Sequence, residues 1–302
     1  MVHVAVCIVG YRNAQDILRC IESLARSTHG DFEVQVCENG GSDAYQALTK
    51  ALPKKLAGGQ PVDVTEAAAN LGYAGGVNLC IRASRNVDAW WVLNPDTLPE
   101  DGALEALVSR LAAGDCELVG GVLYGDDGRV QTLGGRWRPW LARAEAVGRG
   151  LGVSEAKVCN PRFDFVSGAS LLVSRAWIDA VGLMREDYFL YCEEVEWCLR
   201  GRRLGMRLGF AAAALVLHDQ GATTGSANSV RLRPQLPVYL DERNKMLVTR
   251  DCFRARLPVA AVAALLLIGL RFAARGAWAQ FGYALRGWRD GLRNMRGAPH
   301  AS

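Results

Sequence analysis

Trp90-Trp91-Val92-Leu93-Asn94-Pro95-Asp96-Thr97 joins an apolar run to a carboxylate. The run reads as a strand buried on both faces, as in a parallel α/β sheet, and ligands bind at the carboxyl ends of such strands. Asp96 is thereby placed to meet a ligand or a metal. Hard divalent cations such as Mg²⁺ and Mn²⁺ prefer carboxylate oxygens and often share them with substrate phosphates, so the simplest chemical reading is a metal and diphosphate site. Taken alone, residues 94–97 also read as an Asn-Pro-Asp turn that merely ends a strand.

Upstream of this stretch, strands and helices alternate. Val4 to Val9 reads as a buried strand, Ala14 to Arg26 as an amphipathic helix and Phe32 to Cys37 as a second strand. A helix over Ala44 to Leu56, a short strand around Val62-Asp63-Val64 and a helix over Gly75 to Ser84 lead into the Trp90 strand. Downstream come a helix from Gly102 to Ala113 and a strand from Leu118 to Tyr124. Residues 125–160 are rich in Gly, Arg and Trp with weak periodicity. They read as an irregular, partly mobile excursion that faces an acceptor or forms a lid. Regular structure resumes with a strand over Phe165 to Val173, a helix over Arg175 to Val181, a helix over Glu193 to Leu204 and a strand from Leu208 that ends at His218. This alternation predicts an α/β fold, a mostly parallel sheet with helices on both faces.

The 302 residues suffice for one large or two small domains, and half of them are hydrophobic. Lys plus Arg exceed Asp plus Glu by only four, which excludes a uniformly basic nucleic-acid binder. The nine cysteines are odd in number, scattered and free of any C-x-x-C pair, so they read as buried thiols in a reducing compartment. The first residues form a strand pattern rather than a charged segment followed by an apolar one, and the expected location is the cytoplasm.

Further residues along the chain suggest chemistry. Glu193 and Glu194 follow Tyr188-Phe189-Leu190-Tyr191 and open a predicted helix. The helix dipole favours acidic residues in a first turn, but a carboxylate beside aromatic walls also has its pKa raised and can act as a general base on a hydroxyl. His218 stands at a strand end, where it reads either as a hydrogen-bonded terminus or, with Asp96 on a neighbouring strand, as a metal ligand. Asn70-Leu71-Gly72-Tyr73-Ala74-Gly75-Gly76-Val77-Asn78 opens a helix with three glycines, whose amides can hold phosphate or approach a sugar. A nucleotide-dependent oxidoreductase would need its glycine fingerprint after the first strand, where Gly10-Tyr11-Arg12-Asn13-Ala14 lacks the spacing.

In this order the pieces resemble the GT-A glycosyltransferases of family 2, most closely their bacterial rhamnosyltransferase-like branch. The resemblance runs from Val4 to about Asp251. It is carried by Val9 to Asn13, Cys37-Glu38-Asn39-Gly40-Gly41-Ser42-Asp43, Asn70 to Asn78, Leu93 to Asp96, Val166-Ser167-Gly168-Ala169, Phe189 to Arg200, His218 and Arg243-Asn244. It implies a Rossmann-like GT-A fold and an inverting, metal-dependent transfer of a sugar from a nucleotide-sugar donor. Tyr11, Asn13 and Glu38 would face the base and ribose, with Asn70 and Gly75 also on the nucleotide side. Asn94 and Asp96 would form the D-x-D equivalent that holds Mn²⁺ or Mg²⁺ with the diphosphate, and His218 would complete the metal site. Glu194 would be the catalytic base with Glu193 beside it, and Arg243 would neutralise the diphosphate. The branch points first to dTDP-rhamnose as donor, with UDP- and GDP-sugars open. Asn94, Glu194 and Glu38 each stand where aspartate is usual. The two glutamates keep a second reading alive, a non-catalytic sugar-nucleotide-binding homologue in a glycan-synthesis complex.

Leu257 to Leu270 is apolar and ends at Arg271, short for a membrane span. If the chain stays helical, Arg271, Arg275, Arg286, Arg289, Arg293 and Arg296 fall within an arc of about 80° beside Phe281, Leu285, Trp288 and Leu292. That pairing suits a helix lying in the plane of an anionic membrane; the alternative is a solvated charged face on a helix packed against the catalytic domain. The expected organisation is a GT-A domain over 1–251 and a membrane-associated helical segment over 252–302. Such a chain would act on a lipid-linked glycan at the inner face of the plasma membrane.

Overall fold

The computed structural model describes residues 2–219 and 229–299. In chain order the first half comprises β1 (Val4–Gly10), α1 (Ala14–Leu24), β2 (Phe32–Glu38), α2 (Ser42–Ala51), β3 (Val62–Glu66), α3 (Gly72–Ala83), β4 (Ala89–Leu93), β5 (Thr97–Pro99), α4 (Ala103–Ala112) and β6 (Leu118–Tyr124). There follow β7 (Val130–Thr132), β8 (Gly135–Arg138), β9 (Arg143–Ala146), α5 (Val153–Ala156), β10 (Ser170–Ser174), α6 (Arg175–Val181), α7 (Glu193–Arg203), β11 (Leu208–His218), α8 (Gln235–Cys252), α9 (Leu257–Arg271) and α10 (Trp278–Leu292).

The main sheet has the order β3-β2-β1-β4-β10-β6-β11-β5, with β7 also paired to β6. Side chains alternate across it. Val4, Val6 and Ile8 of β1 face the same core as Trp91 and Leu93 of β4, while Ala5, Cys7, Trp90 and Val92 face the other. Helices α1, α2 and α4 cover the first face through residues such as Ile17, Leu48 and Leu104. The second is covered by α3, α6, α7 and α8 through Val77, Trp177, Trp197 and Leu247. Continuous apolar runs in β1 and β4 thus reflect burial on both faces, as expected of central strands.

The expectation of a mostly parallel sheet holds in strand direction, since β3, β2, β1, β4, β6 and β11 all run the same way, but the sheet is mixed. β3, β2, β1 and β4 are mutually parallel, but β10 runs antiparallel to both β4 and β6, and β5 runs antiparallel to β11. An apolar run signals burial, not direction, so the mixed character had no signature in the periodicity. Residues 125–160 likewise differ from the irregular excursion expected. They carry β7, the β8–β9 hairpin and α5, around a small core of Val130, Leu133, Ala156, Val122 and Leu215. Strands of three or four residues are too short to establish a period.

The C-terminal region also departs from expectation. The helix breaks between Phe272 and Ala277, where Gly276 adopts φ 65°, so α9 and α10 are separate. The six-arginine face does not form: Arg271 pairs with Asp241 and Glu242 at 3.4 and 3.2 Å, and Arg296 pairs with Asp187 and Asp251 at 3.2 and 2.7 Å. α10 lies on α8 at such close range that a Cβ at Gly287 would strike the carbonyl of Tyr239, and one at Gly291 that of Arg243. Glycines that weaken an isolated helix here admit a neighbouring backbone. Trp288 donates its indole N–H to Ala261 O at 3.0 Å rather than reaching outward. α9 is different: the helical stretch Arg254–Arg275 spans 22 residues, long and apolar enough to cross a membrane by length and composition, and contains an 18-residue window of mean hydropathy 2.2. Only 28% of it is buried.

All nine cysteines are free thiols, eight of them buried and Cys159 half-buried.

Candidate active site

β5 leaves β4 through Asn94-Pro95-Asp96 and pairs with β11, Thr97 opposite His218. That pairing brings Asp96 to His218, with Nε2 3.5 Å from Asp96 Oδ1. Gln131, just inside β7, determines what the two atoms can do. Its amide N–H donates to the backbone carbonyl of His218 at 2.7 Å, so its Oε1, 3.0 Å from His218 Nδ1, must be the acceptor there. The proton of a neutral ring therefore sits on Nδ1, and Nε2 directs a lone pair at the Asp96 carboxylate. Asp96 Oδ1 is buried with no hydrogen-bond partner. Two acceptors facing each other, largely withdrawn from solvent, favour a proton or a cation between them. Adjacent ligands of an octahedral Mg²⁺-like ion sit about 3 Å apart, so the pair fits a divalent ion. Among the described residues no group of three or more His, Cys, Asp or Glu could hold a metal. An ion bound by one carboxylate and one imidazole would draw its remaining ligands from phosphate and water, the usual coordination of Mg²⁺. The side-chain amide of Asn94, half-buried beside them, has no hydrogen-bond partner among the described residues. Its backbone is fixed by Ala169 O at 3.0 Å and by the Thr97 hydroxyl at 2.6 Å.

Glu193 and Glu194 occupy the first turn of α7. The helix is seated by Trp197, whose indole donates to Gly182 O at 2.8 Å and meets Trp177 edge-on at 5.9 Å. Burial pushes the Glu194 carboxyl up to about 7, against the opposing pull of its own and the Val195 amides, with Asp241 adding to the rise. Glu193 is raised well above its ordinary range, first by burial and then by Glu194. The two differ in access. Glu193 is buried, with Oε2 unpartnered, whereas Glu194 is half-buried, keeps some access to solvent and lies against Gly168, where a Cβ would sit 3.5 Å from its Cγ. Tyr73 touches the same spot, donating its hydroxyl to Gly168 O at 2.6 Å. Burial raises the Tyr73 phenol, and the charges of Glu193, Glu194 and Asp96 raise it further. The base candidates and the metal candidate therefore share one neighbourhood.

The loop before α7 is held in an unusual shape. Phe189, Tyr191 and Cys192 adopt φ of 68°, 74° and 66°, a region that non-glycine residues rarely enter. Asn244 holds it there: its side-chain N–H groups reach the carbonyls of Tyr188, Leu190 and Tyr191 at 2.9, 2.8 and 2.7 Å. Arg243 belongs to the same support. It is 1% exposed, and its guanidinium donates to Asn244 Oδ1, Gly297 O and Tyr188 O at 2.9, 2.8 and 2.9 Å. The expected role for Arg243 on a diphosphate is therefore corrected: buried with every nitrogen engaged, it braces the loop.

On the far side of β1, Glu38 is fully buried next to Gly10. Its Oε1 accepts from the amides of Arg12 and Gly40 at 3.1 and 2.7 Å, while Oε2 has no partner. Arg12, at φ 56°, donates to Gly40 O at 3.0 Å and lies 5.6 Å from the centre of the Tyr11 ring, which is 45% exposed. Asn13 precedes α1 and accepts from the Tyr11 amide at 3.0 Å. The exposed Tyr11 ring can stack on a base, whereas Glu38, with no exposed surface, braces the loops after β1 and β2 through its Oε1.

The glycine turn is corrected in detail. α3 begins at Gly72, not Gly75, and Gly72 is the position that only glycine fits: φ is 71° and a Cβ would strike Phe189 O. Asn70 accepts from the Gly72 amide at 3.0 Å, and Tyr73 N donates to Phe189 O at 2.6 Å. Gly75 is buried beneath the Leu71 side chain, a packing position without an exposed amide. Asn70 and Gly75 thus shape the turn that meets the strained loop. Gln131, Tyr73 and Asn244 were given no part by the sequence reading. Tyr73 and Asn244 lay inside quoted motifs, but Gln131 sits in a segment without pattern and had no signal.

Residues 5–182 match the glycosyl transferase family 2 profile, a range that includes Asp96 and ends before Glu193. The chain is similar to the low-salt glycan biosynthesis hexosyltransferase Agl10 of Haloferax volcanii, 23% identical over 252 residues, 82% of this chain and 76% of that protein. It is also similar to the N-acetylglucosaminyl-diphospho-decaprenol L-rhamnosyltransferase of Mycobacterium tuberculosis, 26% identical over 255 residues, 73% of this chain and 77% of that one. Among solved structures, the mannosyltransferase PcManGT from Pyrobaculum calidifontis in complex with GDP-Man and Mn²⁺ superposes with a TM-score of 0.60 at 14% identity, over 97% of this chain and 88% of its own. GalNAc-T7 with UDP, GalNAc and Mn²⁺ gives 0.58 at 14% identity, over 83% and 48%. These structures share the mixed α/β GT-A-like fold, to which this chain adds C-terminal helices. With its profile match covering more than half of the sequence, the chain belongs to glycosyl transferase family 2, enzymes that move a sugar from a nucleotide-sugar donor to an acceptor.

Proposed function

We propose that this protein is an inverting transferase in which Glu194 is the catalytic base. The observation that carries this reading is the Glu194 carboxyl: half-buried yet accessible, pushed to about 7, and sharing Tyr73 with Asp96. A base with that pKa is ionised enough at neutral pH to accept a proton yet basic enough to want one. Glu194 takes the proton of the acceptor hydroxyl as its oxygen bonds to C1 of the donor sugar. The bond from C1 to the phosphate oxygen breaks on the opposite face, and the nucleoside diphosphate leaves with the electron pair. Asp96 and His218 would hold a divalent ion with the donor diphosphate, and Mn²⁺ is favoured by the mixed oxygen and nitrogen ligands. When bound, that ion would offset charge on the leaving diphosphate. Asn94 is free to donate to a phosphate oxygen, Tyr11 suits the base, Glu38 supports the loop that carries Tyr11, and Asn13 fixes the Tyr11 backbone.

The donor proposed first is dTDP-rhamnose and the acceptor a lipid-linked glycan at the inner face of a membrane. In support stand the low-identity likeness to the mycobacterial rhamnosyltransferase and the exposed apolar surface of α9. Saturation-transfer NMR of the protein against dTDP-rhamnose, UDP-glucose, UDP-galactose and GDP-mannose, with and without Mn²⁺, tests this. One donor should bind in a metal-dependent way, and Asp96→Ala should lose it. In Glu194→Gln, donor binding should survive while turnover disappears. Donor binding by a wild-type protein that releases no nucleoside diphosphate with any acceptor would instead favour a non-catalytic homologue.

A further inference from the structure

A cavity of about 840 Å³ lies between the β8–β9 hairpin, α8 and α9, and nothing in the mechanism above uses it. Six cations line it against two carboxylates. Lys245 and Arg271 are matched by Asp241 and Glu242 at 2.8 to 3.4 Å. Arg143, Arg149, Arg233 and Arg275 have no carboxylate partner among the described residues. Arg233 carries the clearest sign of a missing ligand: its Nε is buried without a hydrogen-bond partner, and its charge is opposed by burial and by Arg271. A guanidinium donor left unsatisfied beside a like charge invites an anion with several oxygens.

The remaining wall is apolar, formed by Ala264, Leu267, Ile268 and Leu270 of α9. Leu270 stands at the junction of two surfaces, because it also ends an exposed stripe of Val259, Val262, Leu266 and Leu270, each at least 55% exposed. At 100° per residue these four fall within an arc of about 80°, and they run along roughly 16 Å of helix. A cationic hole at the end of an exposed hydrocarbon track matches a molecule with a multiply charged head and a long apolar tail. The cavity also adjoins the base. Asp241, in its wall, contributes to raising Glu194, and Tyr191 acts on Arg233.

We infer that this cavity is the anchor for the acceptor, taking the diphosphate of a prenyl-diphosphate-linked glycan on Arg143, Arg149, Arg233 and Arg275, with the prenyl chain along Val259, Val262, Leu266 and Leu270. This rests on the transferase reading above and deepens it. The anchored glycan extends from the cavity toward Glu194, while the donor approaches from the Asp96 side.

The test is binding of farnesyl diphosphate to the full chain in EDTA, which silences the metal site, followed by calorimetry. Farnesyl diphosphate should bind more tightly than pyrophosphate or farnesol. Arg149→Ala/Arg275→Ala, both at exposed positions, and Arg233→Lys should each weaken it about tenfold or more. Leu266→Ser/Leu270→Ser should bring its affinity down to that of pyrophosphate, and Asp96→Ala should leave it unchanged. Wild-type affinity in both arginine variants would overturn the assignment. Equal affinity for pyrophosphate and farnesyl diphosphate would overturn the lipid track, leaving a free-phosphate site. Loss of donor binding in the separate Mn²⁺ experiment with farnesyl diphosphate binding intact would refute the transferase reading and not this one.

Discussion

Replacing Glu194 by Gln should stabilise the protein while stopping it from working. The Glu194 carboxyl rises from an ordinary 4.5 to about 7 because burial disfavours its charge. A rise of that size corresponds to about 3 kcal/mol of preference for the neutral form in the folded chain. The sign follows from linkage. A carboxyl whose folded pKa is raised contributes stability that is fully present below the unfolded value, near 4.5, and is lost as pH climbs through about 7. Wild type should therefore lose about 3 kcal/mol between pH 4.5 and pH 8 from this group, a loss the glutamine variant escapes. For a chain of 302 residues that is a gain in Tm of about 5 °C at pH 8, shrinking to nothing near pH 4.5. Thermal unfolding of both proteins at the two pH values measures it, and nucleoside diphosphate release measures turnover, expected to fall by about 10² to 10⁴. A variant equal to wild type in stability at pH 8, or destabilised there, would show that Glu194 is ordinarily ionised and that its neighbourhood is wetter than described.

Turnover by the wild-type enzyme should rise with pH through about 7, and at pH 6 should be about a tenth of its plateau, the fraction in which a base of that pKa is ionised; a flat profile from pH 5.5 to 8 would assign the proton to another group. Gln131→Ala should free the His218 tautomer and weaken Mn²⁺ binding by about 10- to 100-fold, read by manganese EPR, with the fold unaffected. Asn244→Ala leaves the carbonyls of Leu190 and Tyr191 without their side-chain donor and should cost about 3 kcal/mol in urea unfolding, together with a fall in kcat at unchanged donor affinity. Gly72→Ala would force a Cβ into the carbonyl of Phe189 and should disturb the same loop, lowering kcat in parallel with stability.

Much of the proposed donor side was legible as a set of candidates because its residues sit where strands end. β1 and β4 are unbroken apolar runs and β2 alternates apolar with polar residues, and each ends at or beside polar residues: Tyr11 to Asn13, Glu38 to Gly40, Asn94 to Asp96. The proposed acceptor cavity was not, since its walls come from segments without a pattern. The β8–β9 hairpin has strands of four residues, and α8 was represented only by Arg243 and Asn244. Arg243 was misread because its charge suggested a phosphate, whereas burial against Tyr188 and Gly297 is a tertiary fact that no local window contains. The same blindness produced the arginine arc in the C-terminal region. A helical wheel assumes that the helix continues, and the left-handed turn at Gly276 ends it; nothing on the wheel reveals that Asp241, Glu242, Asp187 and Asp251 have already claimed Arg271 and Arg296.

With eight thiols sealed in the interior and only Cys159 half-open, the unmodified protein carries a single practical attachment point for a thiol-reactive dye. Cys159 leans on the small core that joins α5, β6 and β7, and β7 delivers Gln131 to His218. A fluorophore placed there without mutagenesis would report on the packing behind the proposed metal ligands in an otherwise native molecule.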